Sequence, residues 1–84
     1  MRTIYAYHEY TSDQTSQLHQ YWSAQPVLKV TTKRVFIREN GSTASLDRGA
    51  LVRTGLAQRR GRSYCTEALM RKLGGNPADT RPEQ

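Results

Sequence analysis

The chain has 84 residues, of which 36% are hydrophobic and 24% charged, and its formal net charge is +6. That length suits one small domain with a thin core, and no apolar run approaches the roughly 20 residues of a membrane-spanning helix. The N-terminal residues lack the apolar stretch of a signal peptide, so we predict a cytoplasmic protein. We expect one domain over residues 1–75. Residues 76–84 contain two prolines and no apolar side chain larger than alanine, which predicts a disordered tail.

Residues 2–10 alternate as the residues of a β-strand do. Ile4, Ala6 and His8 would share one face, and three tyrosines in six positions suit a half-buried strand. We interpret His8 as a packed or solvent-facing residue, because no orienting acid or second ligand stands at a useful spacing.

Residues 11–25 are polar and rich in serine, threonine and glutamine. Leu18, Tyr21 and Trp22 have the spacing of one helix face. The sequence leaves two interpretations for residues 13–22, a short helix or a long connecting loop.

The stretch Pro26–Glu39 (PVLKVTTKRVFIRE) predicts a β-hairpin that organises the rest of the domain. A reversal at Thr32-Lys33, or a four-residue loop in the same register, makes two faces. The aliphatic face would hold two cross-strand pairs, Val30 with Val35 and Leu28 with Ile37. The opposite face would be basic and aromatic, with Lys29 opposite Phe36 and with Arg34 and Arg38 on either side. One long bent strand from Val27 to Arg38 is the alternative.

Strong local signals follow the hairpin. Asn40-Gly41 predicts a tight turn into a third strand over residues 42–46. Asp47 has the properties of an N-cap and Gly55 those of a C-terminal cap, which predicts a helix over residues 48–54.

The remaining segment predicts a loop, a strand and a helix. Residues 56–62 (LAQRRGR) predict a basic loop, and residues 63–66 predict a short strand with Tyr64 or Cys65 inward. A last helix is expected over residues 67–73, with Leu69, Met70 and Leu73 on one face. The single cysteine cannot form an internal disulfide and fits a small residue packed in a strand.

These elements predict a mainly β fold with short helices, within the α+β class. About five short strands favour a small bent antiparallel sheet or an SH3-like barrel. An open α+β sheet with one helix packed against it is the alternative.

Catalytic motifs are missing from the sequence. The central acids Glu39, Asp47 and Glu67 are scattered, and each suits a strand end or a helix cap. Phosphate-binding glycine loops, dinucleotide motifs and paired cysteines do not occur. We predict a protein that is not an enzyme and has no cofactor and no metal site.

The stretch PVLKVTTKRVFIRE, followed by LDRGAL, a glycine and SYCTEA, resembles small uncharacterised proteins of actinobacteria and their phages. The resemblance spans roughly residues 26–68. It implies a role as a phage or mobile-element accessory protein and carries over no site residues. The high share of arginine agrees with a GC-rich genome.

Charge distribution indicates an anionic partner. Residues 29–72 contain eleven lysines and arginines against three acids, and arginine is suited to paired contacts with phosphate. The first hypothesis is therefore binding of DNA or RNA, with single strands or RNA suited to a sheet platform. The predicted contact residues are Lys29, Arg34, Phe36, Arg38, Arg59, Arg60 and Arg62.

The second hypothesis is a module that docks on an acidic host protein through the same basic face. The open edge of a small sheet could also accept a strand, including one from a second copy in a homodimer. The ordinary alternative to both is a solvated charged face that keeps the protein soluble.

Overall fold

The computed structural model describes residues 1–82, which form six strands and two helices. The elements are β1 (Thr3–Thr11), β2 (Leu18–Val30), β3 (Arg34–Glu39), β4 (Ser42–Asp47), α1 (Arg48–Thr54), β5 (Leu56–Arg59), β6 (Arg62–Cys65) and α2 (Glu67–Lys72). The strands form one antiparallel sheet in the order β4-β3-β2-β1-β6-β5. The sheet bends until its edge strands β4 and β5 lie close together, which nearly closes a barrel. The prediction of a small bent antiparallel sheet or barrel is confirmed, with one more strand than expected.

The extra strand is β5, which the sequence assigned to a basic loop. Residues 56–59 pair with β6, and Ala57 is buried opposite Tyr64. The loop prediction over residues 56–62 is therefore wrong for all but the turn at Arg60-Gly61. A strand of four residues with one buried side chain gives too little alternation to be found by its pattern.

The interior of the barrel is built from alternate positions of the strands and from one residue of α1. Ile4, Ala6 and His8 share one face of β1, as predicted, and this face is the inner one, where Ile4 and Ala6 are fully buried. Leu51 of α1 closes the gap beside β3 and β5. The apolar interior consists of Ile4, Ala6, Val35, Ile37, Ala44, Leu46, Leu51, Ala57 and Tyr64.

A second, smaller core lies on the outer face of β1 and β6, where α2 packs. Tyr5, Cys65 and Met70 are buried there, with Trp22 and Leu69 at the margin. Cys65 is a free, buried thiol, and burial raises its pKa. Helix α2 thus covers β1 and β6 from outside and also packs against the first half of β2. Among the described residues, neither core cluster contains an outer-face residue of β3 or β4.

The predicted central hairpin is confirmed, but of the four residues expected on its aliphatic face only Val35 and Ile37 are buried, and Val30 and Leu28 are each 45% exposed. Val30 lies opposite Val35 and Lys29 opposite Phe36, as predicted. A bulge then inserts one residue, so that Ile37 pairs with Val27 and not with Leu28. Leu28 is 45% exposed on the outer face.

The helix interpretation of residues 13–22 is wrong, and the loop interpretation is correct only for residues 13–17. Residues 18–22 belong to β2, a strand of 13 residues that pairs with β1 along its first nine positions. The helical spacing of Leu18, Tyr21 and Trp22 was coincidental, since Tyr21 and Trp22 point to opposite faces of a strand. The tips of β1 and β2 extend past the barrel as a two-stranded arm.

Local capping signals predicted both helices. The Asp47 side chain accepts a hydrogen bond from the Gly49 backbone N–H at 3.0 Å, and Gly55 ends α1 with a φ of +78°. Helix α2 begins after Thr66 and buries Met70, but Leu73, expected on the same face, is 61% exposed.

The segment after α2 returns to the sheet. The Arg81 N–H donates to the Trp22 carbonyl and the Ala24 N–H donates to the Arg81 carbonyl, both at 2.9 Å. The described part of the predicted disordered tail therefore lies against β2, while residues 83–84 lie outside the described residues. Among residues 1–82, no helix combines the length and the apolar character needed to cross a membrane.

Candidate functional site

The outer face of β2 and β3 carries the four sheet residues that the sequence proposed as a binding surface. Alternation along β3 places Arg34, Phe36 and Arg38 on one face, and Lys29 is the cross-strand partner of Phe36. The bulge adds Leu28 to the same face. We call this surface the outer basic face, and it consists of Leu28, Lys29, Arg34, Phe36 and Arg38.

Its cations differ in how firmly they are held. The Arg34 guanidinium donates to the Ser45 hydroxyl at 2.9 Å and to the Ser45 carbonyl at 3.0 Å, which fixes it against β4. Within residues 1–82, Lys29 and Arg38 have neither an ion pair nor a side-chain hydrogen bond. The nearest acid across the sheet, Asp47, is engaged in capping α1. The outer basic face is therefore a net positive surface with one acid, Asp47, at its edge beside Arg34.

Phe36 forms the centre of this surface. Its ring is half-buried between Lys29 on β2 and Ser45 on β4. A partly exposed ring fixed by two neighbouring strands offers a flat apolar surface at low cost in side-chain entropy. Leu28 enlarges that apolar surface.

The arginine turn, residues 59–62, lies elsewhere. The Arg59 and Arg62 guanidiniums approach the Glu39 carboxylate at 3.9 and 3.7 Å. Alternation puts Glu39 on the inner face of β3, opposite to Arg38, so these two arginines are directed to the mouth of the barrel. Arg60 is exposed at the turn, where its φ is +51°. The structure thus brings Lys29, Arg34, Phe36 and Arg38 together and directs Arg59 and Arg62 away from them.

Glu39 is the centre of a partly buried polar cluster at the mouth of the barrel. The Tyr64 hydroxyl donates a short hydrogen bond to its carboxylate, in addition to the two arginine contacts. Burial raises the pKa of Tyr64, and the hydrogen bond to Glu39 raises it further. The strand-end role that the sequence suggested for Glu39 is therefore an inward, structural one.

A chain of buried polar side chains leads inward from the same mouth. His8 Nε2 lies 2.7 Å from Ser23 Oγ, and the Ser23 hydroxyl donates to Gln25 Oε1 at 3.0 Å. A serine beside a histidine can act as a nucleophile, but Ser23 is 0% exposed and its proton is directed to Gln25. Ser23 cannot meet a substrate in this arrangement. His8 is the member of the chain that borders the surface.

Aromatic rings continue from His8 along the inner face of the arm. His8 stacks on Tyr21 with centroids 4.6 Å apart, and Tyr10 stacks on His19 at 4.9 Å. The Arg81 guanidinium lies 3.9 Å from the centre of the Tyr21 ring. Two-stranded ribbons are marginal in water, so these stacks help to hold the arm.

Sequence reasoning did not find this inner polar and aromatic surface. Its residues on β2 are at odd positions, His19, Tyr21, Ser23 and Gln25, and they alternate with equally mixed residues. The available signal was the alternation of side chains along a strand, which puts every second residue of β2 on one face. Each of these four residues pairs with an even-numbered residue of β1.

Within the described residues, no group of three or more histidine, cysteine, aspartate or glutamate side chains could hold a metal ion. Comparisons with protein-family models, with curated proteins and with solved structures found no match to this chain.

Proposed function

We propose that the protein is a small basic binding protein that contacts nucleic acid, preferably single-stranded, through the outer basic face. The observation that carries this proposal is the direct cross-strand pairing of Lys29, which is exposed, with Phe36, which is half-buried. Aromatic rings bind bases by stacking, and neighbouring cations bind the backbone phosphates.

Spacing along β3 supports a strand-like ligand. Arg34 and Arg38 stand two residues before and after Phe36, which corresponds to about 7 Å in each direction along the strand. One base stacked on Phe36 would thus have a cation on either side for its flanking phosphates. Lys29 and Arg38 need not break an existing contact to reach them.

Single strands suit this surface better than duplex grooves. Helices α1 and α2 have seven and six residues, so each is only about 10 Å long. Groove-reading proteins insert a longer helix or a ribbon, and the arm of this protein contains no lysine or arginine from residue 3 to residue 28. The bases of a single strand, in contrast, are free to stack.

The test is equilibrium binding of a mixed-sequence single strand, as DNA and as RNA, and of a duplex of the same sequence. The double variant Lys29→Gln/Arg38→Gln should weaken single-strand binding about tenfold or more, and Phe36→Leu should weaken it by about 1–3 kcal/mol for the lost stacking. A matched control is Arg53→Gln/Lys72→Gln, which removes the same charge from the two helices. If the control weakens binding as much as the outer-face variant, the proposal fails, because net charge alone would then account for the affinity.

An acidic protein partner is the alternative use of the same face. Absence of binding to every nucleic acid at low salt, combined with capture of an acidic protein that requires Lys29 and Arg38, would favour that alternative. Cytoplasmic location and origin in a phage or mobile element stay predictions.

A further inference from the structure

A cleft opens where the arm leaves the barrel, and we call it the arm cleft. The edge of β1 over residues 7–10, with Tyr21 beside it, forms one wall, and residues 61–63 form the other. Its volume is about 520 Å³, within the range of small-molecule sites. The lining residues that matter here are His8, Tyr10, Tyr21, Arg62 and Ser63.

The lining of the cleft holds one cation, Arg62, and one acid, Glu9, and behind Arg62 two guanidiniums face one carboxylate. Glu39 is a single carboxylate that faces two guanidiniums, those of Arg59 and Arg62, and it also accepts from Tyr64. The Arg62 contact is 3.7 Å long, which is too long for a hydrogen bond to Glu39, and Arg62 also interacts with the Tyr64 hydroxyl. A guanidinium has five N–H donors, so donors remain for a second anion.

The charged groups around His8 include more cations than anions. Burial lowers the pKa of His8, and the charge of Arg62 lowers it further. Glu39 acts in the opposite direction and Arg81 adds to the lowering. The charges of Arg62 and Arg81 thus act on His8 against the single carboxylate of Glu39.

The outer end of the cleft provides aromatic surface. Tyr10 is 47% exposed although His19 stacks on it, so ring surface remains for a ligand. The Ser63 hydroxyl also borders the cleft. One acid stands at the rim, Glu9, and its carboxylate accepts from the Tyr7 hydroxyl at 3.2 Å.

We propose that the arm cleft binds a phosphorylated nucleoside, with the phosphate at Arg62 and the base against Tyr10. A planar ring joined to a phosphate matches an exposed tyrosine at one end and a guanidinium at the other. Ser63 supplies a hydroxyl for the phosphate or the sugar. This site is separate from the outer basic face and does not depend on the function proposed for that face.

The test uses adenosine 5′-monophosphate as the probe and backbone amide and histidine ring shifts in NMR as the readout. Saturable shifts at His8, Tyr10 and Ser63 are expected, together with a rise in the apparent pKa of His8 when the anion binds. Adenosine without phosphate should bind about tenfold more weakly or worse. A weak specific complex has a Kd of ~1 mM, so ~10 mM probe should nearly saturate the site. Absence of shifts at these residues at that concentration would overturn the proposal.

Three variants locate the contacts. Arg62→Gln should reduce affinity for the probe about tenfold or more, and Tyr10→Ala should reduce it while every charge is kept. Arg53→Gln, on α1, should have no effect. Because Arg62 also contacts Glu39, the unfolding transition of Arg62→Gln is measured alongside, and retained folding with unchanged affinity would overturn the proposal.

Two further arms separate this site from its alternatives. If a short 5′-phosphorylated single strand binds at the cleft residues more tightly than the mononucleotide does, the ligand is a strand end. If the mononucleotide binds more tightly, the ligand is a free nucleotide. The variant Lys29→Gln/Arg38→Gln should bind the mononucleotide like the wild type. If that variant loses the mononucleotide, the probe binds the outer basic face and the arm cleft is not its site.

Discussion

Replacing Leu28 or Ile37 by alanine tests the bulge that distinguishes the structure from the simple hairpin register. In the simple register the two residues face each other inside the barrel, and their loss should cost about the same. In the structure Ile37 is 0% exposed, whereas Leu28 is 45% exposed on the outer face. Full burial of such a side chain contributes about 1.5–3 kcal/mol, so Leu28→Ala should cost about 1 kcal/mol or less. Ile37→Ala also leaves a cavity and should cost about 3–4 kcal/mol.

Urea unfolding, followed by far-ultraviolet circular dichroism, measures both free energies. With a slope of about 1 kcal/mol per molar urea for a domain of this size, the midpoint should fall by about 1 M or less for Leu28→Ala and by about 3–4 M for Ile37→Ala. If Ile37→Ala does not fold, Ile37→Val replaces it, with an expected loss of about 1 kcal/mol for one carbon. Equal losses for the two alanine variants, or a larger loss for Leu28→Ala, would refute the bulged register.

Three further predictions concern stability. A Cβ at Gly55 would lie 3.0 Å from two side-chain atoms at the start of α2, whereas a Cβ at Gly61, which has a similar positive φ, would meet open space. Gly55→Ala should therefore cost about 2–3 kcal/mol in urea unfolding, and Gly61→Ala about 1 kcal/mol. Equal costs for the two variants would show that packing is not involved. Tyr64→Phe removes the donor to a carboxylate and should cost about 1.5–3 kcal/mol, and a cost near zero would mean that this hydrogen bond has no net value. Burial holds the pKa of His8 below its unfolded value of about 6.5, so protonation favours the unfolded chain and stability should fall as pH drops below about 6.5. Unfolding midpoints measured between pH 7.5 and 5 test this prediction. The midpoint of His8→Gln should fall less on acidification than that of the wild type, whereas the midpoint of His19→Gln should fall as much as that of the wild type.

Elements with short-range signals were predictable from the sequence. The turn at Asn40-Gly41 requires two positive φ values, which these residues adopt readily, and φ is +52° and +74° there. Asp47 and Gly55 mark the two ends of α1 by local hydrogen bonding and by backbone conformation. Such signals act within a few residues, so no tertiary information is needed to read them.

Elements that depend on distant partners were not predictable. Ser23 and Gln25 lie in the barrel interior, yet they are polar, because they hydrogen-bond to each other and to His8. That pairing removes the polar and apolar alternation by which β2 could have been recognised. The bulge at Leu28 is a further case, since one inserted residue reverses the orientation of all residues before it.

The candidate binding residues also divide into those placed by local alternation and those placed by a distant partner. Local alternation was enough to predict that Arg34, Phe36 and Arg38 share a face and that Lys29 joins them. The grouping of Arg59 and Arg62 with that face was not supported, because their orientation depends on Glu39, a residue 20 positions or more away in the chain.

The salt dependence of single-strand binding tests the proposed function of the outer basic face most directly. Each phosphate contact contributes about 0.7 to the slope of log K against log salt concentration for a single strand. If Lys29 and Arg38 each bind one phosphate, the slope for Lys29→Gln/Arg38→Gln should be smaller in magnitude than that of the wild type by about 1.4, while Arg53→Gln/Lys72→Gln should keep the wild-type slope. A slope that does not change in the outer-face variant, or that changes equally in both variants, would contradict the account.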